Sequence, residues 1–141
     1  MIGAHCIKTW SVTQGAYALS SAEVEFYAMI EAVIRAKGLR NFAVEVVFKN
    51  LKNIVHIGTD SSAAKSFVGR QGLGKMKHLE IRDLWLQKEV RKGKVVIHKV
   101  LGIDNPSDLG TKILNTEEIA GRLKGMNLEM VLGKYVEEVF F

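Results

Sequence analysis

The amino-acid sequence predicts a single α/β domain. Two short runs rich in β-branched residues, Asn53–Thr59 and Lys94–Leu101, have the length and composition of buried strands. Longer segments before and between them carry apolar residues at helical spacing. Because these segments share 141 residues without a repeat or a linker, we expect one domain in which helices cover a sheet.

The first part of the chain predicts two strands followed by a helix. His5–Ser11 and Ala16–Leu19 are predicted as short strands joined by a turn. Ser20 and Glu23 then have the spacing of a capping box, in which each residue satisfies a free backbone N–H of the other. Apolar residues follow at helical spacing to about Lys37, which predicts an amphipathic helix.

The length of that helix is left open. Gly38 either ends it or lies within a helix that continues irregularly toward Phe48. The later helical segments are Ser61–Val68, Met76–Arg91, a short helix opened by Asn105-Pro106, and Glu117–Lys124 stopped at Gly125. Together with the strands they give the order β-β-α-β-α-α-β-α-α.

The composition excludes several classes of protein. Cys6 is the single cysteine, so an internal disulfide is impossible and a reducing compartment is expected. No apolar run approaches the roughly 20 residues that cross a bilayer, and no secretory leader pattern opens the chain. We therefore expect an intracellular protein, cytoplasmic or nuclear, with no membrane partner.

Positive charge is concentrated in one part of the chain, which we call the basic segment, residues Lys65–Lys99. It contains ten Lys or Arg and three acidic residues, a net charge of +7 in a chain whose total is +5. A basic stretch centred on a predicted helix is typical of a surface that binds nucleic acid. A solvated helix whose charge is balanced by folding partners is the alternative.

Three acidic residues are candidates for metal-assisted phosphodiester hydrolysis, which commonly uses clustered carboxylates. Asp60 follows the strand Asn53–Thr59, where it is either a metal ligand at the sheet edge or a helix N-cap. Asp108 begins a late helix, where it is a second ligand or complements the helix dipole. Glu25 shares a helix side with apolar residues, so we prefer it to Glu23, which the capping box explains.

Several ordered motifs resemble the ribonuclease H domain of Ty1/copia-type retrotransposon polyproteins. The similarity covers roughly Ile7 to Leu114, with the motifs in the order and spacing of that family. Those motifs are KTWSVTQGAYALS, SSAEVEFYAMIEA, GTDSSAAK, KMKHLEIRDLWLQKEV and NPSDLGTK.

The resemblance implies a ribonuclease H-like fold, a mixed sheet flanked by helices. It also implies Mg²⁺-dependent cleavage of the RNA strand of RNA–DNA hybrids, with Mn²⁺ as a possible substitute. By motif match, Glu25, Asp60 and Asp108 correspond to catalytic and metal-binding carboxylates, and Asn105 helps to set the last loop. Reverse transcriptase and integrase segments of the same polyprotein are the partners in an intact element.

The motif K-H-x-x-I-R implies where nucleic acid binds. His78 and Arg82 are spaced to meet one phosphate from one helix face, and Lys75 and Lys77 add charge beside them. A packed helix residue is the alternative for His78. Trp10 and Trp85 are expected in the core rather than as base-stacking platforms.

One departure from the family bears on activity. The family's first strand carries an aspartate that bridges both metal ions, but only Met1–Ala4, without an acid, precede the predicted strand His5–Ser11 that contains the Lys-Thr-Trp-Ser motif. The expectation is a ribonuclease H-like domain over residues 1–127 with its first strand missing, an impaired activity, and an unassigned tail over residues 128–141. The alternatives are a non-catalytic nucleic-acid-binding module and a degenerate transposon remnant.

Overall fold

A computed structural model describes residues 6–11, 20–46, 54–72 and 84–128. These residues fall into two compact units, which are described separately. The central unit comprises the described residues from 20 to 102, and the terminal unit joins residues 6–11 to residues 103–128. In chain order the elements are α1 (Ser21–Val46), β1 (Val55–Thr59), α2 (Ser62–Gly69), α3 (Trp85–Arg91), β2 (Val95–Lys99), two 3₁₀ helices (Gly102–Asp104 and Pro106–Gly110) and α4 (Thr116–Gly125).

Helix α1 begins where the capping pattern predicts. The Ser20 hydroxyl accepts a hydrogen bond from the Glu23 N–H at 3.2 Å. The helix then continues through Gly38 to Val46, which settles its length in favour of the longer alternative. An exposed glycine inside a helix costs only about 1 kcal/mol, and burial of Ala43 in the following turns offsets part of that cost.

Strands β1 and β2 are parallel and hydrogen-bonded to each other, with Val55 opposite Val95 and Thr59 opposite Lys99. Both lie within the predicted strands. Parallel strands need a long crossover, and α2 and α3 lie between them in the chain. The described residues thus combine helices with a parallel strand pair, as the α/β prediction requires.

The core of the central unit lies between this strand pair and the helices. Phe26 of α1 meets Phe67 of α2 edge to face, with ring centroids 4.8 Å apart. Val55 and Val95 are buried on the sheet face that belongs to the same cluster. The other members that are fully or nearly buried are Met29, Ile30, Val33, Ala64, Val68 and Leu86.

In the terminal unit, α4 matches the predicted helix to within one residue at each end. Asn115 and Glu118 form a reciprocal capping box, each side chain accepting the other's backbone N–H at 2.9 Å. The predicted short helix after Asn105 is the 3₁₀ helix Pro106–Gly110, with Asn105 as its N-cap.

The predicted first strand is wrong over the residues that the structure describes. Residues 6–11 form no regular secondary structure. Ile7 is 52% exposed and Trp10 39% exposed, so these apolar side chains lack the burial that makes a strand favourable. The same exposure contradicts a core position for Trp10, whereas Trp85 packs against the central core. The second predicted strand, Ala16–Leu19, lies outside the described residues.

Candidate functional site

Asp60 lies where β1 and β2 both end. It is half-buried and directly follows Thr59. The N-cap of α2 is the next residue, Ser61, whose Oγ accepts the Ala64 N–H at 3.2 Å. The capping role that the sequence left open for Asp60 therefore belongs to Ser61, and it no longer explains the aspartate.

Lys99 brings a positive charge to the same end of the sheet. It is the exposed last residue of β2, and its ammonium donates a hydrogen bond to the backbone carbonyl of Asp60. In α/β proteins, ligands bind beyond the carboxyl ends of parallel strands. The register of the two strands therefore brings Lys99 to the backbone of Asp60 at this edge of the sheet.

Of the two glutamates at the start of α1, the structure buries Glu23 more deeply than Glu25, the residue that the sequence favoured as a metal ligand. Glu23 is buried, at 4% exposure, and shares a helix face with Phe26 and Ile30. Glu25 is half-buried. Sequence reasoning preferred Glu25 because of its apolar neighbours, but Glu23 lies deeper. The spacing of Glu23 from Phe26 and Ile30, three and seven positions, was the signal that could have found it.

Asp108 is held by two cations. It is 4% exposed, and its Oδ1 lies 2.9 Å from Lys112 Nζ while its Oδ2 lies 3.2 Å from Arg122 Nη2. The hydrogen bond from Lys112, followed by that from Arg122, holds the pKa of the carboxyl below its usual range, although burial works in the opposite direction. Both carboxylate oxygens therefore already have strong donors.

Arg122 also connects Asp108 to Asn105. The Arg122 Nε donates to the Asn105 carbonyl at 3.3 Å, while the Asn105 side chain accepts the Ser107 N–H at 3.2 Å. The structure thus brings Asn105 and Asp108 together around a buried guanidinium. Sequence analysis did not consider Arg122, although its helical spacing from the buried Met126 placed a cation at an inward position.

The acidic residues that the structure describes do not form a magnesium site by themselves. Mg²⁺ prefers carboxylate oxygens in a near-octahedral arrangement. Within the described residues of either unit, no three side chains of His, Cys, Asp or Glu are grouped closely enough to hold a metal ion. The donors on Asp108 would also have to be displaced. No reaction step is therefore derived through a metal.

The described cations of the basic segment are all exposed. Its one described acid, Glu89, is paired with Lys37 of α1, and that hydrogen bond is the main reason why the pKa of the Glu89 carboxyl is lowered. Glu89 is thus already neutralised by a residue outside the segment. The seven exposed cations are Lys65, Arg70, Lys88, Arg91, Lys92, Lys94 and Lys99.

The four predicted nucleic-acid contacts Lys75, Lys77, His78 and Arg82 lie outside the described residues. The chain leading to them is held by Gln87, which is 2% exposed. Its amide donates to the Phe67 and Gly72 carbonyls at 3.0 and 3.1 Å and accepts the Gly72 N–H at 2.9 Å. Gln87 therefore fixes the backbone at the end of α2, immediately before that stretch.

Comparisons with known proteins do not extend this description. No family model, no curated protein and no solved structure matches the chain. Among the described helices, none is both long enough and apolar enough to span a membrane.

Proposed function

We propose that the protein is a ribonuclease H-like protein of copia-type retrotransposon origin that binds RNA–DNA hybrids and hydrolyses their RNA strand. The observation that carries the binding part is the exposed basic segment, whose described acid is already paired with Lys37. Unbalanced surface cations favour phosphate contacts, because each contact releases counterions from the nucleic acid.

The hydrolytic part rests on Asp60 and on the ordered motifs. Asp60 is half-buried at the carboxyl end of a parallel strand pair, beside the Lys99 ammonium. That position suits a group that acts on a bound phosphodiester, and Lys99 would orient the phosphate. The described acids do not form a magnesium site by themselves, so the expected hydrolysis is slow and depends on added Mg²⁺ or Mn²⁺.

Binding is tested by fluorescence anisotropy with a labelled RNA–DNA hybrid at several salt concentrations. If about five of the seven described cations contact phosphates, the logarithm of affinity should fall with the logarithm of salt with a slope of roughly −4 to −5. Lys88→Gln with Lys92→Gln should reduce the magnitude of this slope by about 2. Lys8→Gln with Lys124→Gln removes the same charge from exposed lysines outside the segment and should leave it unchanged.

Hydrolysis is tested with the RNA strand labelled, in the presence of Mg²⁺ or Mn²⁺. Cleavage should occur in the hybrid and disappear in Asp60→Asn, which keeps the size of the side chain and removes its charge. Hybrid binding by Asp60→Asn should be retained, so that loss of cleavage is not loss of substrate. Folded wild-type protein that binds the hybrid but cleaves it with neither metal would overturn the hydrolytic part.

That last outcome would support a second candidate, a non-catalytic nucleic-acid-binding module. The engagement of both Asp108 oxygens by Lys112 and Arg122 favours it, because a carboxylate in two ion pairs is poorly suited to recruit a metal. This candidate predicts the same salt dependence of binding and no cleavage under any metal condition. Affinity that does not change with salt concentration would contradict both candidates.

A further inference from the structure

Two histidines on neighbouring strands form a close pair on the outer face of the sheet. In the register of β1 and β2, His56 is opposite Val96 and Gly58 is opposite His98, so the histidines are diagonal neighbours on one face. Both side chains are exposed. Nδ1 of His56 lies 2.8 Å from Nε2 of His98, and the rings are stacked with centroids 5.1 Å apart and planes at 20°.

The backbone beneath the pair is well anchored. Val55 and Val95, which lie on the opposite sheet face, are 8% and 1% exposed and belong to the core of the central unit. Gly58, opposite His98, adds no side chain to this face of the sheet. The two imidazoles are therefore presented from a packed strand pair, which lowers the ordering cost of binding a ligand between them.

We propose that His56 and His98 together form a binding site for a divalent transition metal of tetragonal preference, with Cu²⁺ as the strongest binder. Imidazole is a good ligand for such ions, and Cu²⁺ has the highest affinity in the first-row series. With metal–nitrogen bonds of about 2.0–2.1 Å, two donors at a right angle are roughly 2.9 Å apart, whereas tetrahedral donors are roughly 3.3 Å apart. The observed 2.8 Å matches the right-angled arrangement.

The proton arrangement for binding follows from the atoms that face each other. Without metal, one of the two facing nitrogens carries a proton and donates it to the other. Coordination needs a lone pair on both, so each neutral imidazole holds its proton on the outer nitrogen, Nε2 of His56 and Nδ1 of His98. Both exposed rings must rotate to aim their lone pairs at one ion, and water fills the other positions. This site is independent of the proposed nuclease function.

The test is titration of the full chain with Cu²⁺ in a buffer that does not bind metals, followed by calorimetry and electron paramagnetic resonance. The wild-type spectrum should show coupling to two imidazole nitrogens. His56→Gln and His98→Gln should each weaken Cu²⁺ binding by about 10- to 100-fold, because either one ends chelation. The double variant should bind Cu²⁺ at most a few-fold more weakly than either single variant.

His5→Gln is the matched control, because it removes a histidine that is not part of the pair and should leave the affinity unchanged. Circular dichroism of each variant establishes that it is folded, which both exposed positions allow. Equal Cu²⁺ affinity in the wild type and the double variant would overturn the proposal. The proposal would also be overturned if the histidine substitutions lowered the unfolding midpoint but left the Cu²⁺ affinity unchanged, because the pair would then be a structural contact only.

Discussion

Asp108→Asn is the substitution that best separates a structural role of this residue from a metal-binding role. The change keeps the shape of the side chain and removes the charge that faces Arg122, whose side chain is 6% exposed. Removing one partner of a buried ion pair costs about 3–5 kcal/mol, because the other charge remains buried without compensation. Asparagine still accepts one hydrogen bond, so we expect a loss near the lower end, about 3 kcal/mol.

The ion pair with Lys112 contributes little to the stability that Asp108→Asn is expected to lose. Its side chain is 55% exposed, and an exposed partner of this kind is worth at most about 1 kcal/mol. Lys112→Gln is therefore the matched control for Asp108→Asn, since it removes the second ion pair and leaves the buried pair with Arg122 in place.

The assay is amide hydrogen exchange in α4, followed by nuclear magnetic resonance. A loss of about 3 kcal/mol in local stability corresponds to exchange roughly 100-fold faster at the protected amides of this helix. Lys112→Gln should change these rates by less than about fivefold. Unchanged exchange in Asp108→Asn would refute the structural reasoning, and Mg²⁺-dependent protection of α4 that is lost in the same variant would assign the residue to metal binding instead.

Three further predictions follow from described contacts. The pKa of Asp108 is lower in the folded protein than in the unfolded chain, where it is about 3.9. The ionised carboxylate therefore contributes its full stabilisation above the unfolded pKa, and this contribution is lost as the pH falls through the folded pKa. The urea concentration at the unfolding midpoint should accordingly fall below about pH 5, and it should fall less in Asp108→Asn. Gln87→Leu leaves the Gly72 carbonyl and N–H without the Gln87 amide, while the Phe67 carbonyl keeps the Arg70 N–H, and should lower the free energy of unfolding by about 2–3 kcal/mol. Gln87→Glu loses the same two donated bonds and faces two carbonyl oxygens with a buried carboxylate, so it should cost at least as much at neutral pH in the same denaturation series. Gly58→Ala places a Cβ 2.7 Å from Cγ2 of the β-branched Val100 and should lower the free energy of unfolding by about 1–3 kcal/mol. Adding Val100→Ala to the same chain should recover part of this loss. If the two substitutions change the free energy of unfolding additively, there is no clash between these side chains.

Much of the secondary structure could be predicted because its signals are local. Ser20 and Glu23 are three residues apart, and the bond between them marks the start of α1 as the capping pattern indicates. The β-branched runs before Asp60 and around Val95 form strands as their composition predicts. In each case the side chains that determine the structure lie within a few positions of the backbone that they fix.

The failures have a different origin. The predicted strand over His5–Ser11 had a suitable composition, but a strand also needs a partner for its backbone and a face to bury, and both depend on distant parts of the chain. The sequence left open whether Asp60 is a metal ligand or the N-cap of α2, and the structure gives the capping role to the next residue, Ser61, whose hydroxyl accepts the Ala64 N–H. Glu23 and Glu25 both have apolar neighbours at helical spacing, and only the packing of α1 against the core shows that Glu23 is the more deeply buried.

For the described residues from α1 to α4, the sequence by itself determined the class and order of the main elements, and it located a basic segment separate from three candidate acids. Only the tertiary structure decided which charged side chains are paired with an opposite charge. Glu89 is paired with Lys37 across 52 positions, and Asp108 with Arg122 across 14. The physical reason is that a helix or strand depends on residues a few positions apart, whereas the partner of a charged side chain depends on which distant surface packs against it. The described acid of the basic segment is held by Lys37 of α1, so it does not balance the exposed cations of that segment.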